Sequence, residues 1–240
     1  VIPVADHGGQ IVEDRAQVAL AGLERLFAAA DARGVMCQEA FWSFFLPKFD
    51  VMRQVLDSGV LGELSTILVD FGELLPPTHR IHDPSLAGGA LHDLGIYEMA
   101  LSAWTVGRPS AVVGQATMTA SGVVANATGV LRSAAGVITT MSTTMMTATP
   151  CRAVIAGSEA TLSTDEWFLC PGNLTLTDNR TGQRIDFSEP NIRHEALFWE
   201  AAEVARRISA GELTTPYWTR ENTRDTTATL DLLNSALGIH

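Results

Sequence analysis

The chain has 240 residues, 46% of them hydrophobic and 18% charged, with a formal net charge of −11. That length can bury a sizeable core, as one large domain or two small ones, and the composition is globular rather than disordered. The acidic balance, with the 16 Lys and Arg scattered along the chain, argues against a nucleic-acid or anionic-membrane surface.

The three cysteines, Cys37, Cys151 and Cys170, are odd in number and widely spaced, with no CxxC among them. Neither a disulfide framework nor a zinc ribbon is supported, and a reduced cytoplasmic setting is expected. The opening VIPVADHGGQ lacks a basic segment followed by an apolar run and reads as no signal peptide. The long uncharged stretch Ala134 to Cys151 is packed with Thr and Ser, so no bilayer span is expected.

Taken in order, a helix is predicted from about Glu13 to Arg33, with Val18, Leu20, Leu23, Leu26 and Phe27 as its apolar stripe and Gly34 as its stop. Val35 to Phe41 (VMCQEAF) reads as a buried strand. A helix over Pro47–Ser58 opens on proline and ends before Gly59. The stretch ELSTILVDFGEL then reads as a long strand that breaks at Pro76–Pro77. A polar loop, Pro76–Ala87, delivers the chain to Gly88–Trp104, GGALHDLGIYEMALSAW, which reads as one amphipathic helix behind two glycines.

Beyond Gly107 the character changes. Ala111–Thr119, Ala125–Arg132 and Val137–Thr147 read as consecutive antiparallel strands joined by turns at Gly122 and Gly136. Cys151–Ala156, Leu174–Thr177 and Arg184–Phe187 add strands, with Asp178–Gly182 as a hairpin loop. Helices over Arg193–Ala210 and Arg220–Leu237 close the chain, ended by Gly211 and Gly238. In the third long strand, Val137, Thr139, Met141, Thr143 and Met145 share one face, and Ile138, Thr140, Ser142, Thr144 and Met146 the other. Neither face is charged. Helices can cover one; the other either meets a second copy of the chain or turns Thr and Ser to water.

Standard chemical signatures are absent: no G-x-G-x-x-G after a strand, no P-loop, no HExxH and no G-x-S-x-G. Asp93 and Tyr97 lie four residues apart, which on one helix stacks a carboxylate and a phenol a turn apart. Such a pair can orient a substrate hydroxyl and move its proton. Equally, Asp93 can be a first-turn acid and Tyr97 a half-buried packing residue. His79 and His82 sit in a proline-bounded loop without an acid cluster beyond Asp83, and read as surface histidines rather than a metal pair. Arg80 in that loop suits an anion or hydroxyl clamp. Phe41 and Trp42 either wall an apolar pocket or belong to the core, and His194–Glu195 reads as a helix cap or surface pair.

Four stretches, in order, carry a resemblance: EAFWSFFLPKFDVMRQVLDSGVLGEL (39–64), HDPSLAGGALHDLGIYEMALSAW (82–104), VIAGSEATL (154–162) and HEALFWEAAEVARRISAGE (194–212). Together they resemble the glucose–fructose oxidoreductase/inositol dehydrogenase (Gfo/Idh/MocA) family, most of all its dimeric dihydrodiol dehydrogenase branch. The resemblance implies an α+β domain with an open, mostly antiparallel sheet and helices packed on one face. It also implies that residues 1–38 are a remnant or tail end of a dinucleotide-binding (Rossmann) domain. Residues 39–240 would be the substrate-binding and oligomerisation domain. Where many members carry Asp-x-x-x-His, this chain has Asp93 and Tyr97, as in the dihydrodiol branch. Tyr97 is thereby implied as acid/base, Asp93 as its substrate-orienting neighbour, and Arg80, Trp42 and Phe41 as pocket lining.

NAD or NADP is the implied cofactor, with no metal, and a polyol, sugar or dihydrodiol the implied substrate. A homo-oligomer through the open sheet face follows from the same resemblance. The chain departs from the family in two places. The glycine fingerprint is missing, and IVEDRAQ stands where the family's Glu-Lys-Pro motif is expected; Lys48 is the only lysine. Two readings therefore stand: the substrate-binding domain of an NAD(P)-dependent oxidoreductase, or a non-catalytic binding or assembly module. A lyase or isomerase working from Asp93 and Tyr97 alone is a third.

Overall fold

The computed structural model describes residues 15–239. Expectations for residues 1–14, including a helix start at Glu13, lie outside the described residues. Helix α1 (Arg15–Arg33) buries Leu23, Phe27 and Ala30 and leaves Leu26 exposed. It packs on the last helix, α6 (Arg220–Leu237), where Arg224 pairs with Glu24 at 2.6 Å and Arg220 with Asp31 at 2.7 Å.

The strand expected over Val35–Phe41 does not form. The segment has no ladder partner among the described residues, and Val35 is half exposed. A strand is defined by its neighbours, so an apolar run without one stays an unpaired connector. It leads into a 3-10 turn, Trp42–Phe45, and then α2 (Pro47–Asp57), with proline in its first turn.

Strand β1 (Leu64–Gly72) follows, then the polar loop, the short helix α3 (Ala90–Asp93) and α4 (Gly95–Val106). The single helix expected over Gly88–Trp104 is thus stepped at Leu94 (φ −106°, ψ −53°), and the Tyr97 N–H donates to Leu94 O at 3.0 Å. Gly95 lies so close to the sheet that a Cβ there would meet Leu91 Cδ1 and Thr143 Cγ2 at 3.2 Å each. Close packing on the sheet, which periodicity does not encode, accompanies the step.

Strands β2 (Pro109–Met118), β3 (Val124–Ser133) and β4 (Ile138–Thr144) form the expected antiparallel run. They are followed by β5 (Ala153–Gly157), β6 (Ala160–Thr164), β7 (Asn173–Asp178) and β8 (Arg184–Ser188). The sheet order is β2-β3-β4-β1-β5-β6-β7-β8, and the β1–β4 pair alone is parallel. β6 escaped the sequence reading because ATLST is short and mostly polar. The helix expected over Arg193–Ala210 begins as a 3-10 segment, Arg193–Leu197, and becomes α5 over Phe198–Ser209.

One sheet face is covered. Thr139, Met141 and Thr143 are buried under α3 and α4, with Ser102 Oγ 2.8 Å from Thr139 Oγ1. α6 packs on β2 on the same side, with Leu233 against Gly114 and Gly129. Thr140 and Ser142 are exposed on the other face, together with Leu68, Val113 and Val130. The fold is therefore α+β, with an open, mostly antiparallel sheet and helices on one side.

Candidate active site

The loop between β1 and α3 is built from local caps. His79 Nδ1 accepts the Ile81 N–H at 3.2 Å, and Asp83 Oδ1 accepts the Ser85 N–H at 2.8 Å. Gly88 closes the loop against its own start: a Cβ there would meet Ile81 O at 2.4 Å and Asp83 O at 2.7 Å, so no larger residue fits. This closure brings Arg80 Nη2 to 2.5 Å from Asp93 Oδ1. The arginine expected to clamp a ligand is thus engaged by the very carboxylate expected to orient the substrate. Arg80 remains more than half exposed on a cleft of about 480 Å³ shared with His79, His82 and Leu86.

Tyr97 projects from the first turn of α4 into a cluster of aromatic rings. Its ring meets Phe41 edge-on at 5.5 Å and Phe71 at 6.0 Å between centroids. Burial pushes the phenol above its ordinary value; a hydrogen bond with the Trp42 side chain opposes this, and the Asp93, Glu200 and Cys170 charges add to it. All the charges bearing on it are acidic, so the phenol is held protonated, as a hydrogen-bond donor. Phe41 and Trp42 are each 4% exposed and belong to the core. Phe41 and Phe44 also pack on Trp218, at 4.7 and 4.3 Å.

Asp93 and Tyr97 do not share an unbroken helix, yet the step at Leu94 leaves the carboxylate close enough for its charge to reach the phenol. Two neighbours, Glu39 and Glu200, were missed by the sequence reading, and His194 was read only as a cap or surface residue. The His194 ring lies 5.7 Å from that of Trp42, so it packs on an aromatic ring rather than only lying at the surface. Glu200, in the first turn of α5, is half-buried, and its carboxyl is pushed up to about 7 by burial and the nearby charge of Glu39. Glu39 is likewise raised by burial, against hydrogen bonds from Thr223 and Trp218. A single acid on an amphipathic helix carries no sequence signal for such a position; only the packing of α5 on the Trp42–Phe45 turn reveals it.

Lys48 is fully buried elsewhere, donating from Nζ to Cys170 O, while the Lys48 backbone N–H donates to Glu189 Oε2 at 3.2 Å. Burial pushes its amine down to about 8. Among the described residues no three His, Cys, Asp or Glu side chains are grouped to hold a metal. The glycines ahead of α3 are filled by the chain's own backbone, since a Cβ on Gly89 would meet Val124 N at 3.1 Å. That pair therefore does not form a phosphate cradle of the helix-terminus kind.

Residues 49–163 match the family model for the GFO/IDH/MocA C-terminal domain. A trans-1,2-dihydrobenzene-1,2-diol dehydrogenase from Bos taurus is 42% identical over 77 residues, 32% of this chain and 23% of that protein. Its counterpart from Danio rerio is 25% identical over 198 residues, covering 79% of this chain and 58% of the relative. The chain thus spans well under two thirds of both relatives. Among solved structures, a 3-ketoreductase from Actinomadura kijaniata in complex with NADP and TDP-benzene superposes with TM-score 0.77 at 22% identity, covering 92% of this chain and 68% of that one. An aldose–aldose oxidoreductase from Caulobacter crescentus complexed with glycerol gives TM-score 0.77 at 18% identity, covering 91% and 66%. At such identities the structures speak for the fold alone. Over residues 49–163 the chain is similar to the C-terminal domain of the GFO/IDH/MocA family.

Proposed function

We propose that this chain is the substrate-binding and oligomerisation part of an NAD(P)-dependent oxidoreductase acting on CH–OH groups of dihydrodiols, sugars or polyols. The observation that carries the reading is the Tyr97 phenol, held protonated among packed aromatic rings one helical turn from Asp93. A protonated phenol at an apolar wall donates to a carbonyl oxygen in reduction, and takes the proton back from the hydroxyl in oxidation. Arg80 holds Asp93 in place, while Phe41 and Trp42 shape the wall. The relatives' names and the NADP-bound neighbour support a nicotinamide nucleotide as redox partner. Residues 1–38 belong, on this reading, to a nucleotide-binding domain and 39–240 to the substrate domain. The setting is cytoplasmic.

The test is intact mass of the purified chain followed by titration with NADPH, read by nucleotide fluorescence. Saturable binding, displaced by NADP, is the expected result. A chain of 25.7 kDa that binds neither NAD(H) nor NADP(H) would favour the rival, a binding or assembly module without redox chemistry.

The uncovered sheet face supports a homo-oligomer. Leu68, Val113 and Val130 are 47%, 65% and 38% exposed on strands otherwise lined by Thr and Ser, an apolar surface suited to a two-fold contact. Sedimentation at micromolar concentration is expected to show a dimer, and Leu68→Arg to shift it to monomer. A monomer throughout would overturn this part.

A further inference from the structure

Residues 189–197, between β8 and α5, reach the rings around Tyr97 from outside, and little fixes them there. The first residue is anchored, since Glu189 Oε2 accepts the Lys48 N–H at 3.2 Å. The hydrogen bonds beyond it are local: Ile192 N–H donates to Pro190 O at 3.0 Å, Arg193 N–H to Asn191 Oδ1 at 3.2 Å and Glu195 N–H to Ile192 O at 3.1 Å. From Pro190 to Leu197 every residue is exposed except Ala196, which is buried. Two ring contacts draw the stretch inwards. The Arg193 guanidinium lies over Trp167, 5.4 Å from the ring centre, and the His194 ring packs on Trp42 at 5.7 Å. Those tryptophans flank the Tyr97 cluster: Trp167 meets Phe71 at 6.0 Å and Phe71 meets Tyr97 at 6.0 Å, while Trp42 follows Phe41, whose ring meets Tyr97 at 5.5 Å. Arg193 and Trp167 are both left-handed, at φ +47° and +58°, a region that bulky residues rarely adopt. Such strain persists only where contacts hold it, and here the two strained residues hold each other. Loss of the one stacking contact lets both backbones relax.

We propose that residues 189–197 are a strap closed over the Tyr97 rings, latched by Arg193 on Trp167, which lifts to admit a ligand to the phenol. The strap is tied at one end by Glu189 to the Lys48 backbone and runs at the other into α5, so it swings between two fixed points. The ligand's part in this rests on reading Tyr97 as the reacting group; the latch rests on the contacts alone. Arg193 is a positioning residue: it acts on access, through Trp167, and touches no reacting atom. A partly exposed cation over an indole is a weak hold, which suits a strap that must open and close.

The test reads access to the phenol without any substrate. The chain has two tyrosines, so in a Tyr217→Phe background nitration by tetranitromethane reports on Tyr97 alone. Adding Arg193→Gln, which removes the cation at nearly the same side-chain size, is expected to speed that nitration about fivefold, the range for a cation–π contact. An unchanged rate would overturn the strap as a cover of Tyr97. The latch is read separately by trypsin. In Trp167→Ala the cut after Arg193 is expected to gain about fivefold on the cut after Arg180, which lies exposed between β7 and β8. Loosening of the whole fold would raise both cuts, so an unchanged ratio would overturn the latch. Neither readout involves nucleotide or turnover. Failure of the strap therefore leaves the dehydrogenase reading to the NADPH titration, and failure of that titration leaves the strap standing.

Discussion

Tyr97→Phe is expected to lower turnover by about 100-fold or more in a preparation that oxidises trans-1,2-cyclohexanediol with NADP, with nucleotide affinity nearly unchanged. The substitution removes one oxygen from a ring already fixed by Phe41 at 5.5 Å and Phe71 at 6.0 Å, so the ring cluster keeps its shape. On the proposed role, what is lost is the proton donor and acceptor at the reacting oxygen. A drop in kcat with little change in KM would place the loss in the transition state rather than in binding. Turnover equal to that of the unaltered protein would remove Tyr97 from the mechanism. The remaining pair, Arg80 and Asp93, satisfy each other at 2.5 Å and have no phenol to replace it.

Glu98→Gln is expected to raise stability at neutral and mildly alkaline pH relative to the parent chain, and to do so increasingly as pH rises. Glu98 is fully buried on α4, next in sequence to Tyr97. One carboxyl oxygen accepts the Ser142 N–H at 2.9 Å, and the other has no partner. Burial pushes its pKa well above the ordinary 4.5. The folded chain therefore holds the proton more tightly than the unfolded chain does. Stability from this group is complete below the unfolded value and is lost as pH rises towards the folded one, by about 1.4 kcal/mol per pH unit in between. Glutamine keeps an acceptor for Ser142 and cannot ionise, at the cost of an unpaired buried amide. The difference in melting temperature, variant minus parent, should grow between about pH 5 and pH 8. Glu39, Glu189, Glu200 and Asp231 are raised too, but they titrate in both proteins and cancel in the difference. A difference that stays constant with pH would show that Glu98 holds its proton no more tightly in the folded chain than in the unfolded one.

The parts of the fold legible in the sequence are those decided within a few residues. Pro47 and Gly59 bracket α2, and Gly238, at φ +66°, ends α6. At the start of α6 the Thr219 side chain accepts the Asn222 N–H at 3.2 Å while Asn222 Oδ1 accepts the Thr219 N–H at 2.9 Å. Turns at Gly122 and Gly136, both with positive φ, set off three long strands whose composition already names them. The expectation for Val35–Phe41 was wrong because apolar character is a property of the segment, whereas a ladder belongs to its neighbours. His194 shows the same limit, since a helix-opening histidine looks alike whether or not a tryptophan lies 5.7 Å away.

What the sequence by itself determined is the set of local elements, the two-faced β4 and the presence of a carboxylate and a phenol four residues apart. Turn chemistry, capping and side-chain period are encoded at short range and survive without knowledge of the rest of the chain. Tertiary structure alone decided the parallel seating of β1 on β4, across about 70 residues of chain, and with it the covered and open faces of the sheet. It stepped the Asp93–Tyr97 helix at Leu94 and turned Arg80 onto Asp93. The physical reason is common to all of these. Pairing, burial and the electrostatics that follow from burial depend on which distant groups come to share a low-dielectric space. No spacing along the chain records that.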